Sequence, residues 1–456
     1  MNFQKFIENK LMPIASKTAS NKYLSAIKDG FIASMPFLIV GSFVLLLVNL
    51  PLVDPNNFLY QQWYVDLMSK YKANLIQPFY VSMGIMTIFV SFGIGYSLSN
   101  SHKINGITGG LLSLFTFLIL CGQSDQIPYG GDVPKWAILP GASFPIIDAR
   151  YLGAQGIFTG IIVAILSVEL YRFLVNRKII IKLPESVPPA VARSFEALIP
   201  VILLTIIAQT INIAVQSTTG TLLPEIMMHI FRPMLNISDS LFGSLMIVFI
   251  IHIFWFCGIH GGALVSVFLS PISLTNLEIN ARALSNNLPL PHILSGGFLD
   301  VFVHIGGSGT TLGLTIAMIM SKVPHLRNIG KIALAPGIFN INEPIIFGAP
   351  IVLNPILGIP FILVPLINTT IAYSLTNFGV IERVSTLMPW TTPAALAAFI
   401  STGLDPKALI LSLCSLALSV LLYLPFLKAY EKVLLRQEKT HNKKITANKK
   451  IIINIK

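Results

Sequence analysis

Ile338-Phe339-Asn340-Ile341-Asn342-Glu343-Pro344-Ile345-Ile346-Phe347-Gly348-Ala349-Pro350 sets one carboxylate and two carboxamides inside a run that otherwise reads as membrane. An ionisable group at membrane depth costs roughly 2.5–3.5 kcal/mol to insert, so it normally faces a cavity and marks a functional site. Pro344 adds backbone information. The residue before a proline is pushed out of the helical region, which predicts a helix break at Glu343 with Pro344 opening the next helix. Broken backbone at that depth is tolerated only where protein or a water-filled cavity satisfies its polar groups. Secondary transporters build their substrate sites from such interrupted helices.

Composition widens the reading from this segment to the chain. Of 456 residues, 54% are hydrophobic and 11% charged, with a mean hydropathy of +0.75. A soluble domain carries about 25% charged residues. The chain therefore reads as an all-α polytopic membrane protein rather than a large soluble enzyme. Its net charge of +12 is clustered. Lys5, Lys10, Lys17, Lys22 and Lys28 precede the first span, and nine Lys or Arg lie from Lys428 onward. Clusters of this kind stay in the cytoplasm, which predicts that both termini are cytoplasmic. Nucleic-acid binding, the other reading of a basic balance, lacks a soluble groove to house it. No cleavable signal peptide is visible in the polar first 30 residues. Cys121, Cys257 and Cys414 lie in apolar segments without metal-type spacing, so neither a disulfide framework nor a zinc site is expected.

Residues 1–30 alternate apolar and basic positions (Phe3, Phe6, Ile7, Leu11, Ile14), an amphipathic pattern suited to the inner membrane surface. Spans are expected over Phe31–Leu50, Pro78–Leu98, up to Cys121, Tyr151–Phe173 and Leu198–Val215. Gly122–Arg150 is too polar to cross. Arg172, Arg177, Lys178, Lys182 and Arg193 mark a cytoplasmic loop. Residues 241–270, 293–320, 332–380 and 390–427 are apolar but cut by Gly, Pro, His and Asn, and several pieces are too short for simple spans. They read as crossings mixed with re-entrant hairpins, about ten crossings in all. The expected division is a transmembrane scaffold over 31–235, a substrate-binding half over 236–430, and a basic tail over 431–456. That tail reads as a helix extension ending in disorder.

Carboxylates accept hydroxyl hydrogen bonds, and carboxamides both donate and accept. A sugar demands such groups, because each buried hydroxyl left unpaired costs roughly 1–3 kcal/mol. Glu343, Asn340 and Asn342 are accordingly candidate sugar ligands. The competing reading is a Glu343 neutralised by a buried base, with Arg327 and Lys331 the upstream candidates. Phe256-Cys257-Gly258-Ile259-His260-Gly261 predicts a second break, with an imidazole at a backbone opening. His252, one helical face away, reads as structural or interfacial. His292 and His304 lack acidic or Cys partners at ligand spacing, and no metal is expected. Gly306-Gly307-Ser308-Gly309-Thr310-Thr311-Leu312-Gly313 lacks the lysine of a P-loop and reads as close helix packing through small residues. Trp390 suits either sugar stacking or an interfacial anchor. No cofactor or nucleotide site is legible. No cysteine sits in a polar loop that would activate it, so any phosphoryl group must arrive on a partner.

These residues, taken in order, resemble the membrane subunit (enzyme IIC) of the lactose/cellobiose/chitobiose branch of the bacterial sugar phosphotransferase system. The resemblance spans residues 3–430. It rests on the N-terminal motif over Lys10–Phe31, on Phe256–Gly261, on Gly306–Gly309, and above all on Pro336–Pro344. It implies ten transmembrane helices with two re-entrant hairpins, a homodimer formed by the N-terminal half, and a sugar site in the C-terminal half. It implies that His260 and Glu343 lie near the 6-hydroxyl of a β-linked disaccharide, with Gly261 and Trp390 lining the site. It also implies separate IIA and IIB proteins, the latter delivering the phosphoryl group from a phosphocysteine. A proton-coupled sugar symporter with Glu343 as its titrating group, and a membrane-embedded enzyme or glycan sensor, are the rival readings.

Overall fold

A computed structural model describes residues 20–50, 52, 60–121, 124–127, 144–147, 149–181, 183–184, 186–188, 195–349 and 351–454, with backbone alone for 124–127, 144–147 and 438–454. Most of the expected N-terminal amphipathic segment, most of Gly122–Arg150, and Lys182 and Arg193 lie outside the described residues.

The first group of helices comprises α1 (Lys22–Val48), α2 (Gln62–Leu75), α3 (Gln77–Tyr80), α4 (Met86–Ser101), α5 (Gly106–Cys121), α6 (Ile157–Asn176), α7 (Leu198–Thr219) and α8 (Leu223–Ser238). Asn21 starts α1 by accepting from the Tyr23 and Leu24 amides at 2.9 and 3.2 Å, a standard use of a short polar side chain at a helix start. α1 and α4 meet where two glycines face: a Cβ on Gly93 would lie 2.9 Å from the Gly30 Cα. Small residues let backbones approach in this way where lipid gives no hydrophobic drive to helix association. α2 is amphipathic and rests on the end of α1, where the Tyr64 hydroxyl donates to the Leu47 carbonyl at 2.7 Å. Two short strands, β1 (Ser124–Ile127) and β2 (Phe144–Ile147), pair antiparallel with Ser124 opposite Ile147. They are the exception to the all-helical expectation and lie in the loop read as non-crossing.

The second group comprises α9 (Leu241–Phe256), α10 (Gly261–Ser285), α11 (Phe298–Phe302), α12 (Thr311–Ile319), α13 (Pro324–Ile338), α14 (Glu343–Gly348), α15 (Pro355–Asn377), α16 (Ala394–Ser401) and α17 (Pro406–Asn454). Among the described residues seven helices are long and apolar enough to cross a bilayer; α8 and α9, bent by 80° at their junction, make an eighth as a pair. α5 is apolar but spans only 16 residues. Breaks keep other apolar elements below that length: α12 has nine residues, about 14 Å of helix against a hydrocarbon core of about 30 Å.

Gly306, Gly307 and Gly309 do not sit in a helix interface. They form the turn between α11 and α12 at φ of +80, +92 and +87°, a conformation that a Cβ disfavours. Gly313 does pack closely, since a Cβ there would lie 2.2 Å from the Ser419 hydroxyl on α17. The tail also differs from expectation. α17 continues to Asn454, because no Pro or Gly follows Pro425 and Lys, Glu, Gln and Leu are good helix formers.

Depth follows from pairings along α17. Ser321 bonds Glu431 near one end of its apolar stretch, and the Glu382 amide bonds Asp405 at the other. α13 starts beside the Glu431 end and runs back along α12 for 15 residues, about 22 Å. Gly330 faces Thr315 and Ile319, Gly337 faces Leu312, and Gly313 beside Leu312 meets Ser419 midway along the apolar stretch of α17. Its far end, Asn340, is therefore well inside the layer.

Candidate functional site

Asn340 ends α13 in the left-handed region at φ +62°, the conformation that Asn tolerates best after Gly. The Ile341 amide closes the turn onto the Pro336 carbonyl at 3.0 Å. Chain direction then reverses, Asn342 caps, and α14 begins at Glu343 with Pro344 in its first turn. The break falls where the Glu-Pro step predicts it.

The two carboxamides are bound to backbone. Asn340 Oδ1 accepts from the Gly306 amide at 2.9 Å, and its Nδ2 donates to the Trp390 and Thr392 carbonyls at 2.7 and 3.0 Å. Asn342 Nδ2 donates to the Ser308 carbonyl at 2.8 Å. Glu343 contrasts with both. Its side chain is exposed and has no hydrogen-bond or ion-pair partner among the described residues. The bases that might have neutralised it are elsewhere: Arg327 bonds the Ser321 carbonyl at 2.9 Å, and Lys331 is exposed on α13.

Trp390 is 54% exposed beside Asn340. A small pocket between them is lined also by Asp300, Thr386, Thr392 and Ser401. The Thr386 hydroxyl is buried there without a partner. Sequence reading passed over Asp300 and Thr386. The signal for Asp300 was its place four residues before His304, whose Nδ1 lies 3.6 Å from its carboxylate. The sequence reading that His304 and His292 lack acidic partners is thereby corrected; His292 Nδ1 lies 2.8 Å from Asp239.

His260 opens α10 at the second break. Its Nδ1 accepts from the Ala263 amide at 3.0 Å, so the neutral ring carries its proton on Nε2. The ring lies 4.4 Å, centroid to centroid, from that of Trp255 and is exposed. Gly261 is buried because α10 starts against α9: a Cβ would lie 2.0 Å from the Ile251 carbonyl oxygen. The Leu353 amide donates to the Phe256 carbonyl at 3.0 Å. That bond joins the His260 loop to the segment following α14. Glu343, Asn340, Asn342 and Trp390 thus gather on the glycine turn, while His260 arrives through a separate seam at the other end of α14.

An interrupted-helix membrane fold whose break carries a carboxylate unpaired among the described residues is the build of a solute permease. Residues 28–365 match the family described as Phosphotransferase system, EIIC. The oligo-beta-mannoside-specific EIIC component of Bacillus subtilis (strain 168) is 35% identical, over 95% of this chain and 95% of its own. The cellobiose-specific EIIC component of Geobacillus stearothermophilus is 34% identical, over 94% of each. The lactose-specific EIICB component of Lacticaseibacillus casei is 31% identical, over 94% of this chain and 72% of that relative. The crystal structure of ChbC, the IIC component from the N,N'-diacetylchitobiose-specific phosphotransferase system, superposes with a TM-score of 0.86 at 36% identity, over 95% of this chain and 99% of that one. The chain belongs to the EIIC family of the phosphotransferase system, in its lactose/cellobiose/chitobiose branch. It is a multi-pass membrane permease component of a bacterial phosphotransferase system.

Proposed function

We propose that this permease binds a β-linked disaccharide of the cellobiose, diacetylchitobiose or lactose type and carries it inward. Transport is coupled to phosphorylation at the sugar 6-hydroxyl. The observation that carries this reading is the Glu343 carboxylate at the break, partnerless among the described residues, with both neighbouring carboxamides bonded to backbone. A side chain left without a protein partner at that depth is available to a hydroxyl.

In this reading the 6-hydroxyl oxygen attacks the phosphorus of a phosphocysteine on a separate IIB protein, itself charged by IIA. An O–P bond forms, the S–P bond breaks, the cysteine leaves as thiolate, and the hydroxyl proton passes to Glu343. Phosphoryl transfer of this kind rests on positioning and electrostatics. His260 donates from Nε2 to a sugar oxygen, and Trp390 stacks on a sugar ring. Asn340 acts as a sugar ligand only through acceptor capacity left over at Oδ1, and Asn342 through its Oδ1 and the second hydrogen of Nδ2. Gly261 keeps α10 close enough for His260 to reach the site. The chain itself carries no phosphorylated residue, and it works as a homodimer built through residues 31–235, with the sugar held by residues 236–430.

The test uses purified protein in vesicles with phosphorylated IIB and a panel of labelled cellobiose, diacetylchitobiose and lactose. Accumulation of 6-phosphorylated sugar inside is the expected result. Delivery of unmodified sugar driven by a proton gradient would replace this reading with a symporter.

A further inference from the structure

His252 is fully buried in α9, not at an interface. Its Nδ1 lies 2.6 Å from the Val248 carbonyl, which can only accept, so that nitrogen carries a proton. Its Nε2 accepts from the Gly309 amide at 2.8 Å, so that nitrogen carries none. The imidazole is held as one neutral tautomer. The Gly309 carbonyl in turn accepts from the hydroxyl of Tyr423 at 2.6 Å, a fully buried side chain of α17.

Both polar groups of one left-handed glycine are thus held by side chains from two different helices. Phe361 closes the third side, since a Cβ on Gly309 would lie 2.2 Å from its ring. The next residue back, Ser308, receives the Asn342 amide at 2.8 Å, and Asn342 immediately precedes Glu343. Gly306, at the far end of the turn, is bonded to Asn340 instead.

We propose that His252 and Tyr423 are positioning residues for phosphoryl transfer: by fixing the two peptide groups that flank the Gly309 Cα they fix the Ser308–Asn342 bond and, through it, the placement of the Glu343 carboxylate. The inference rests on the function proposed above. The clamp acts on the Asn342 end of the turn, away from the Asn340–Trp390 end, so it governs the chemical step more than sugar capture. Misplacing a reacting group by about 1 Å costs on the order of a hundredfold in rate.

The test measures labelled cellobiose binding and IIB-dependent phosphorylation on the same full-length preparations. His252→Leu and Tyr423→Phe are each expected to lower kcat by about tenfold to a hundredfold, with the sugar Kd changed less than threefold. His252→Gln, whose amide oxygen accepts from Gly309, should recover much of the rate. The two losses should be less than additive, because both hold the same residue, Gly309. If wild-type protein phosphorylates none of the sugars, the function reading and this inference fall together. If wild type is active and Tyr423→Phe keeps full kcat, or loses binding and kcat equally, this inference alone falls. Tyr423→Phe removes one hydroxyl and decides the matter even if His252→Leu does not fold.

Discussion

Glu343 has a carboxylate and no group among the described residues to answer it, whereas Asn340, three residues earlier, makes three hydrogen bonds to backbone. The contrast sorts the residues of this segment into those that build the site and those that are available to a ligand. Replacing Glu343 with Gln keeps volume and removes the proton acceptor. We expect phosphorylation to fall by about 10²–10⁴-fold with the folded protein intact by size-exclusion chromatography; a variant that keeps its full coupled rate would refute the assigned role. Asn340→Ala should behave differently. It leaves the Gly306 amide and two carbonyls unpaired, at roughly 1–3 kcal/mol for each buried group. A lowered thermal midpoint in detergent, together with weakened sugar binding, is the expected pair of results. Much of this was not legible in the sequence. Pro344 exposed the break because its constraint is local. The partners of Asn340 lie 34, 50 and 52 residues away, and no local period reports such pairings.

At the scale of the element, the glycine turn between α11 and α12 is the piece that a sequence reading in terms of helix packing misses. Glycine-rich runs in apolar context serve either close helix contact or left-handed backbone, and composition is the same for both. The structure separates them residue by residue. Gly307 combines φ of +92° with a Cβ position 2.5 Å from the Asn342 Cγ, whereas Gly220 has φ of +71° and open space around it. Gly307→Ala should therefore abolish sugar uptake and lower stability well beyond the roughly 1 kcal/mol expected for Gly220→Ala. Equal thermal shifts for the two variants would show that only backbone strain matters at the turn. The clean spans were legible for the opposite reason. α1, α4, α6 and α7 are unbroken apolar runs, and hydropathy alone locates them to within several residues. α2 escaped because an amphipathic helix of 14 residues has neither the length nor the apolarity that marks a crossing.

At the scale of the molecule, two groups of helices meet where α10 lies against α1 and the turn at Gly153–Gly156. There the buried Glu278 pairs with Arg282, and a Cβ on Gly153 would lie within 3.0 Å of both side chains. The polar ends of the first group are held differently. His102, just past α4, lies 2.9 Å from Glu169 and 3.1 Å from Arg172. Burial, reinforced by the Arg172 charge and opposed by Glu169, holds His102 below the ordinary histidine range. The unfolded chain therefore takes up this proton at higher pH than the folded one. The associated stability is present above the unfolded value of about 6.5 and is lost as pH falls through the folded value. The thermal midpoint should drop between pH 7 and pH 5 in wild type and drop less in His102→Gln. Identical profiles would remove His102 from the account. The second group of helices has its own constraint. One carboxamide ties Gly306, Trp390 and Thr392 to the end of α13, so admitting solute by swinging the Asn340 loop alone would sever three bonds at once. Displacing the whole unit severs none of them, so the walls of the pocket travel with their passenger.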